Sequence, residues 1–276
     1  MIRKLKVKKR TLLVDGDIIC YRIATAIEEA TEWQDDMWTL HADAKKGKEI
    51  LDISLNKYLK ELNCNNIVIA LSDKGNFRKK LFPEYKSHRK KVRKPIIVKP
   101  LKEYIYKKYT TYRLPDLEGD DTLGILATSK YKDNCIILSS DKDMRTIPCF
   151  HHFMHDNQTE LVDEKTADYY FMFQTLTGDT SDGYSGIKGC GAVKAERVLY
   201  NSEKTLPSMW KAVVEEYKRN NLTEKDALLQ ARMARILRTQ DYNFKTKKPI
   251  LWRLWVYLII WMNTNKSKIF IIELNI

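Results

Sequence analysis

Ten acidic residues fall along this chain in tight groups: Asp15 and Asp17; Asp73; Glu118, Asp120 and Asp121; Asp141 and Asp143; Asp179 and Asp182. Each group stands where a strand is expected to hand over to a loop or helix. Two carboxylates about 4 Å apart repel by roughly 4 kcal/mol at an effective dielectric near 20, so gathering several of them calls for a cation. Hard oxygen ligands suit Mg²⁺, with Mn²⁺ able to substitute, and a pair of such ions is a common device for hydrolysing phosphodiesters. Each group alone has a plain alternative. Asp15-Gly16-Asp17 reads equally as a turn after a strand, and Asp120 and Asp121 as charges at a helix start. Taken together, carboxylates placed by separate turns on one sheet edge favour a shared metal site.

The elements that must position them are legible in outline. Thr11 to Val14 is a short apolar run that predicts a buried strand, and Ile19–Glu29 and Asp43–Leu62 read as helices. Asn66–Leu71 predicts a second strand, Glu118–Lys130 a helix and Cys135–Leu138 a third strand. Strands alternating with helices indicate a parallel α/β sheet, whose ligand crevice lies at the carboxyl ends of the strands. Asp15, Asp73 and Asp141 share that edge. From about Ala167 the pattern turns helical, which divides the chain into an α/β core over 1–166 and a smaller helical domain over 167–253. Pro95 and Pro100 bracket an apolar tetrad and predict a bent excursion rather than a sheet strand. Leu254–Met262 is apolar but far short of the roughly 20 residues of a membrane span. With the Asn-, Lys- and Ile-rich residues after it, 254–276 reads as a tail foreign to the fold; an interfacial anchor is the alternative.

The net charge of +13 is concentrated: Lys74–Arg113 holds 15 Lys and Arg against 2 acids, and the remainder balances at 34 of each. A neutral body with one cationic segment points to a polyanion partner, against the alternative of a solvated basic face. Lys90, Lys91, Arg93 and Lys94 are the candidate phosphate contacts there. Tyr85, Tyr104, Tyr106, Tyr109 and Tyr112 are interleaved with these cations. Aromatics so placed either stack unpaired bases or pack in the core; packing is the expectation except at Tyr85. Farther on, the Gly178–Ala195 stretch crowds glycines ahead of a helix over Ala192–Leu199. Gly186, Lys188, Gly189, Gly191 and Lys194 could bring backbone amides and two cations against a phosphate backbone, unless this is an ordinary glycine-rich loop. Five scattered cysteines without a Cys-x-x-Cys motif fit reduced thiols and a cytoplasmic protein. His151 and His155, four apart in a strand-like stretch, read as solvent-facing rather than as zinc ligands.

In this order and at compatible spacing, Asp15-Gly16-Asp17, Asp73 with Phe77-Arg78, Tyr85-Lys86-Ser87-His88-Arg89, Glu118-Gly119-Asp120-Asp121, Asp141-Lys142-Asp143 and Asp179 to Ala195 resemble the flap endonuclease and 5′→3′ exonuclease superfamily. Gln174–Asp179, Asp182–Ile187, Met233–Arg238 and Tyr242–Phe244 are similar to its T-odd coliphage branch. The resemblance runs over about 11–253. It implies a PIN-like or resolvase-like parallel-sheet core followed by a helical domain with a helix–three-turn–helix DNA-binding motif.

The resemblance also implies roles. Asp15, Asp73, Glu118, Asp120 and Asp141 would surround a first Mg²⁺, and Asp143, Asp179 and Asp182 a second, with Asp121 ligating and Asp17 supporting nearby. Lys86, Arg89 and Asp141 would be catalytic, and Tyr85 would stack beside the terminal nucleotide. The expected partners are duplex DNA and RNA–DNA hybrids, with a single-stranded-DNA-binding protein alongside and no membrane, for a monomer in the cytoplasm of an infected cell. A structure-selective flap endonuclease, a ribonuclease of the related four-carboxylate toxin fold and a non-catalytic DNA-binding module remain the rivals. Two departures stand out. The hairpin has Gly183-Tyr184-Ser185-Gly186 where cellular members carry Asn-x-Pro-Gly, and Arg89 to Asp116 is short for an arch.

Overall fold

Leu12, Leu13 and Val14 are fully buried on both faces of the first strand, the mark of a parallel strand covered from two sides. The computed structural model describes residues 10–254, save the side chain of Lys90. The expected foreign tail thus lies outside the described residues from position 255 onward. In chain order the first half contains β1 (Arg10–Asp15), α1 (Gly16–Ile27), β2 (Glu29–Glu32), β3 (Trp38–His41), α2 (Ala44–Glu61), β4 (Cys64–Ala70), α3 (Phe77–Leu81), α4 (Val98–Lys108) and β5 (Thr110–Tyr112). There follow α5 (Gly119–Thr128), β6 (Cys135–Ser139), β7 (Phe150–Phe153), β8 (Gln158–Leu161), α6 (Glu164–Thr177), α7 (Ala192–Tyr200), α8 (Leu206–Arg219), α9 (Glu224–Ala234) and a small ladder of β9 (Tyr242–Asn243) with β10 (Lys248–Pro249).

The main sheet has the order β5-β4-β1-β6-β7-β8, parallel throughout except for β8. Chain segments leaving β1, β4 and β6 therefore emerge on one edge. Each start nearby is fixed by a short polar side chain: Asp15 caps α1, Asp43 caps α2, Asn76 caps α3, and Glu118 caps α5 in a reciprocal box with Asp121.

Between Pro95 and Pro100 the chain forms no sheet strand, as expected, but a turn that runs into a helix. The basic segment folds into α3, a 3₁₀ turn (Ser87–Lys91), α4 and the edge strand β5. Pro100 falls in the first turn of α4, where no intrahelical donor is required, and Val98, Leu101 and Ile105 bury at helical spacing. Of the two histidines expected to face solvent, His155 is exposed but His151 is buried on β7, with Nε2 2.7 Å from the Ile147 carbonyl.

α6 to α9 enclose a separate core of Phe171, Met172, Leu176, Trp210, Tyr217 and Trp252. After α9 the chain returns to the sheet domain. Ile236 packs with Leu123 and Ile147, and Leu237 with Phe77, Leu117 and Ile125. Arg238 ties this return to both halves, pairing with Asp168 at 2.9 Å and donating to the Thr146 carbonyl. Among the described residues no helix is long and apolar enough to cross a membrane.

Candidate active site at the carboxyl edge of the sheet

Asp15 closes β1 with its carboxylate buried. Oδ1 accepts the Ile18 N–H at 3.0 Å and Oδ2 accepts the Ser139 hydroxyl at 2.9 Å. Burial, then the charges of Asp17 and Asp141, outweigh those bonds and push its pKa up to about 7. Asp120, in the first turn of α5, is raised well above the usual range by burial and by Asp15 and Asp141. Asp141, just past β6, is raised by burial and by Asp182 and Asp179, against the Asp143 N–H and Lys86. Asp143 is pushed up to about 7 by burial and by Asp141, Asp179 and Asp182. Four carboxylates thus feel one another, with Asp141 shared between a group toward Asp15 and Asp120 and a group toward Asp179 and Asp182.

Cations enter from the basic segment. Lys86 has a left-handed backbone (φ 54°), a strained state for a non-glycine residue that its surroundings must hold in place. Its N–H donates to the Asp182 carbonyl at 2.7 Å, and its Nζ lies 2.7 Å from Glu118 Oε1 and 3.3 Å from Asp182 Oδ2. Burial would lower the lysine, but Glu118, Asp182 and Asp120 outweigh it and the net shift is upward. Glu118 moves the other way: burial opposes, and Lys86 and Arg78 bring it down to about 2. Arg89 donates to the Ser181 carbonyl and to Asp182 Oδ1, both at 2.8 Å. Asp179 is held down by the Ser181 hydroxyl and N–H against its own burial.

Several sequence expectations are corrected. Asp121 does not face the edge: it is wholly buried and paired through both oxygens with Arg78, at 2.7 and 2.8 Å, while accepting the Leu237 N–H. Tyr85 is not placed to stack on a nucleotide, because its ring is buried beside Tyr184 and its hydroxyl lies between carboxylate oxygens of Glu118 and Asp182, 2.9 Å from each. Gly186 is buried against Gly178. A Cβ on either would come within 2.3 Å of the other strand's backbone, so these glycines close the loop rather than meet a ligand. Tyr104 and Tyr109 do pack inward, both donating to Asp52, whereas Tyr106 is exposed.

Other candidates sit around the site. Asp73 is occupied by the Asp116 N–H, with Arg113 at 3.4 Å, and its pKa is lowered chiefly by that N–H. Asp17 accepts the Ser72 N–H and pairs with Lys102. Arg93 pairs with Glu28, and Lys194 with Glu216 at 2.8 Å. Lys91, Lys94, Lys188, Gly189 and Gly191 are exposed, and the side chain of Lys90 lies outside the described residues. Arg78 and Ser139 are the residues the sequence reading gave no role. Arg78 is buried and also donates to the Met233 and Arg235 carbonyls. Its signal in the sequence was its place in Phe77-Arg78, one of the stretches that carry the resemblance.

The donor set fits divalent cations. It consists of carboxylates, of which Asp15, Asp120, Asp141 and Asp143 are raised first by burial and then by neighbouring carboxylates, and Asp143 Oδ1 is buried with no hydrogen-bond partner among the described residues. Among the described residues no group of three or more His, Cys, Asp or Glu is gathered closely enough to hold a metal ion as it stands. Glu118 and Asp182 are instead satisfied by Lys86, Arg89 and Tyr85.

Comparison with known proteins places the chain in a family. The family described as 5′-3′ exonuclease, N-terminal resolvase-like domain, matches residues 10–171. An exonuclease of Escherichia phage T7 is 32% identical over 282 residues, covering 89% of this chain and 94% of that protein. A phage T5 protein co-crystallised with metal ions superposes with a TM-score of 0.64 at 13% identity, covering 81% of this chain and 88% of that one. The flap endonuclease of bacteriophage T5, in a pseudo-enzyme–product complex with DNA and metal ions, does so at 0.61 and 14% identity, covering 81% and 87%. At those identities the two structures establish the fold alone. The chain belongs to the 5′→3′ exonuclease family. It is a nuclease with a resolvase-like α/β domain and a helical part.

Proposed function

We propose that the chain hydrolyses phosphodiester bonds of duplex DNA, and of the RNA strand in RNA–DNA hybrids, from the 5′ end with two Mg²⁺ ions. The observation that carries this is the pair of carboxylate groups sharing Asp141, with Lys86 and Arg89 at their margin. Asp15, Asp120, Asp141 and Glu118 would hold one ion, and Asp141, Asp143, Asp179 and Asp182 the other. When bound, the ions supply Lewis acidity at the scissile phosphate and make the attacking water more acidic. Lys86 and Arg89 exchange their carboxylate partners for phosphate oxygens and stabilise charge that grows in the transition state. Tyr85 holds Glu118 and Asp182 at a fixed separation through one hydroxyl. The α6–loop–α7 unit acts as the helix–three-turn–helix: Gly189 and Gly191, both with open space beside Cα, admit a DNA backbone against the start of α7. In a phage setting such an enzyme removes primers and degrades DNA.

The test is a blunt duplex labelled separately at its 5′ and 3′ ends, incubated with Mg²⁺ or EDTA. Early, metal-dependent release of the 5′ label as mono- or short oligonucleotides is expected. Cleavage confined to branched substrates would replace this reading with a flap endonuclease, and no cleavage of either would overturn it.

A further inference from the structure

α6 and α7 leave an open groove of about 740 Å³ between them, and Tyr170 of its lining also borders the small cleft of Asp143 and Asp179. Lys165, Tyr169 and Tyr170 line its α6 side, Arg197 and Tyr200 its α7 side, and Lys204 closes one end. Along α7 the contributors recur three and four residues apart, starting at Val193, so a whole helix face is turned into the groove. That face is uncovered: Val193 is 82% and Tyr200 76% exposed.

The groove's charge has the same direction. Glu196 is the one acid in its lining, against three cations. Among the described residues Lys165, Arg197 and Lys204 form no ion pair within 4 Å, whereas Arg78, Lys86, Arg89, Arg145 and Lys194 are all matched to carboxylates. Lys204 lies over the Tyr200 ring, 5.8 Å from its centroid. Uncommitted cations beside tyrosine faces can neutralise phosphates and stack bases, and a fully paired duplex offers no free base face. An acidic peptide would use the cations and leave three rings without a role. The groove also begins two residues past Gly191, where the exposed turn before α7 ends.

We propose that the α6–α7 groove binds an unpaired nucleic-acid strand. The inference rests on the nucleic-acid chemistry proposed above and adds to it a second, non-catalytic contact surface. The test uses the full chain in EDTA and an oligothymidylate of about 12 nucleotides, fluorescein-labelled for anisotropy and carrying 5-iodouracil for photocross-linking. The Tyr200→Ala/Arg197→Ala variant should bind it about 5- to 10-fold more weakly, with wild-type cross-links at Tyr169, Tyr170 or Tyr200. Its Mg²⁺-dependent rate on a short blunt duplex should be unchanged, which also shows that it is folded. Unchanged affinity with cross-links confined to residues 74–113 would overturn the proposal. So would polyglutamate competing as well as the oligonucleotide, which would give the groove to an acidic protein partner. Strand binding by the groove without cleavage of blunt or branched duplexes would sink the proposed exonuclease reading and leave the groove standing.

Discussion

Asp141 lies between both carboxylate groups, so Asp141→Ala should disable both at once. Turnover on duplex DNA is expected to fall at least about 100-fold, with DNA affinity in EDTA nearly unchanged; near-normal turnover would rule out a shared site. Protons compete for the same oxygens. Asp15 and Asp143 carry folded-state values of about 7 against 3.8 for the free side chain, so between those limits the native state holds protons the unfolded chain does not. The metal-free protein therefore loses stability as pH rises through 7, and Mn²⁺ must displace protons below it. Calorimetric titrations at pH 5.5 and 8 should show weaker binding and more proton release at the lower value; equal affinity at both would mean these two carboxyls are not ligands. At this scale the sequence revealed which residues are acidic and near strand ends, but not which acid was already spoken for. Asp121 follows Asp120 directly but meets Arg78, 43 positions away, and the Leu237 N–H.

Among elements, the clearest from sequence were those with agreeing local signals. α2 has an Asp43 cap and an apolar period; β1 and β6 are apolar runs closed by Asp15 and by Ser139-Ser140-Asp141. β5 was hidden because three residues after a helix carry no period, and its pairing is set by Val68 to Ala70 far upstream. Tyr85 misled because a tyrosine beside a lysine looks like a base-stacking pair until Tyr184, about a hundred residues later, buries it. The contact between α3 and α5 gives a stability test. Arg78→Met strands the buried Asp121 carboxylate and should cost about 3–5 kcal/mol in urea denaturation, with Arg78→Met/Asp121→Leu recovering much of that loss. If the double variant were no more stable than the single one, repair of buried charge would not be the reason for the pairing.

Across the whole molecule, opposite charges occupy different regions: the acids converge on one sheet edge and the surplus cations sit mainly within residues 74–113. Lys91 and Lys94 are exposed phosphate candidates, while Lys86 is committed to the carboxylates. Replacing Lys91 and Lys94 with Ala should reduce the slope of log affinity against log salt by up to about 2 with kcat little changed. Lys86→Ala should lower kcat about 100-fold or more with a smaller loss in affinity. Parallel effects from both variants on both measurements would undo the division.

Arg78 donates to the carbonyls of Met233 and Arg235, and Asp121 accepts the Leu237 N–H. The side chain beside Glu118 is therefore anchored by a strand of polypeptide made more than a hundred residues later. On the ribosome, the sheet can form well before its carboxylate edge is braced. A nascent chain shorter than about residue 237 has the acids in order but lacks the backbone groups that hold Arg78 and Asp121 behind them.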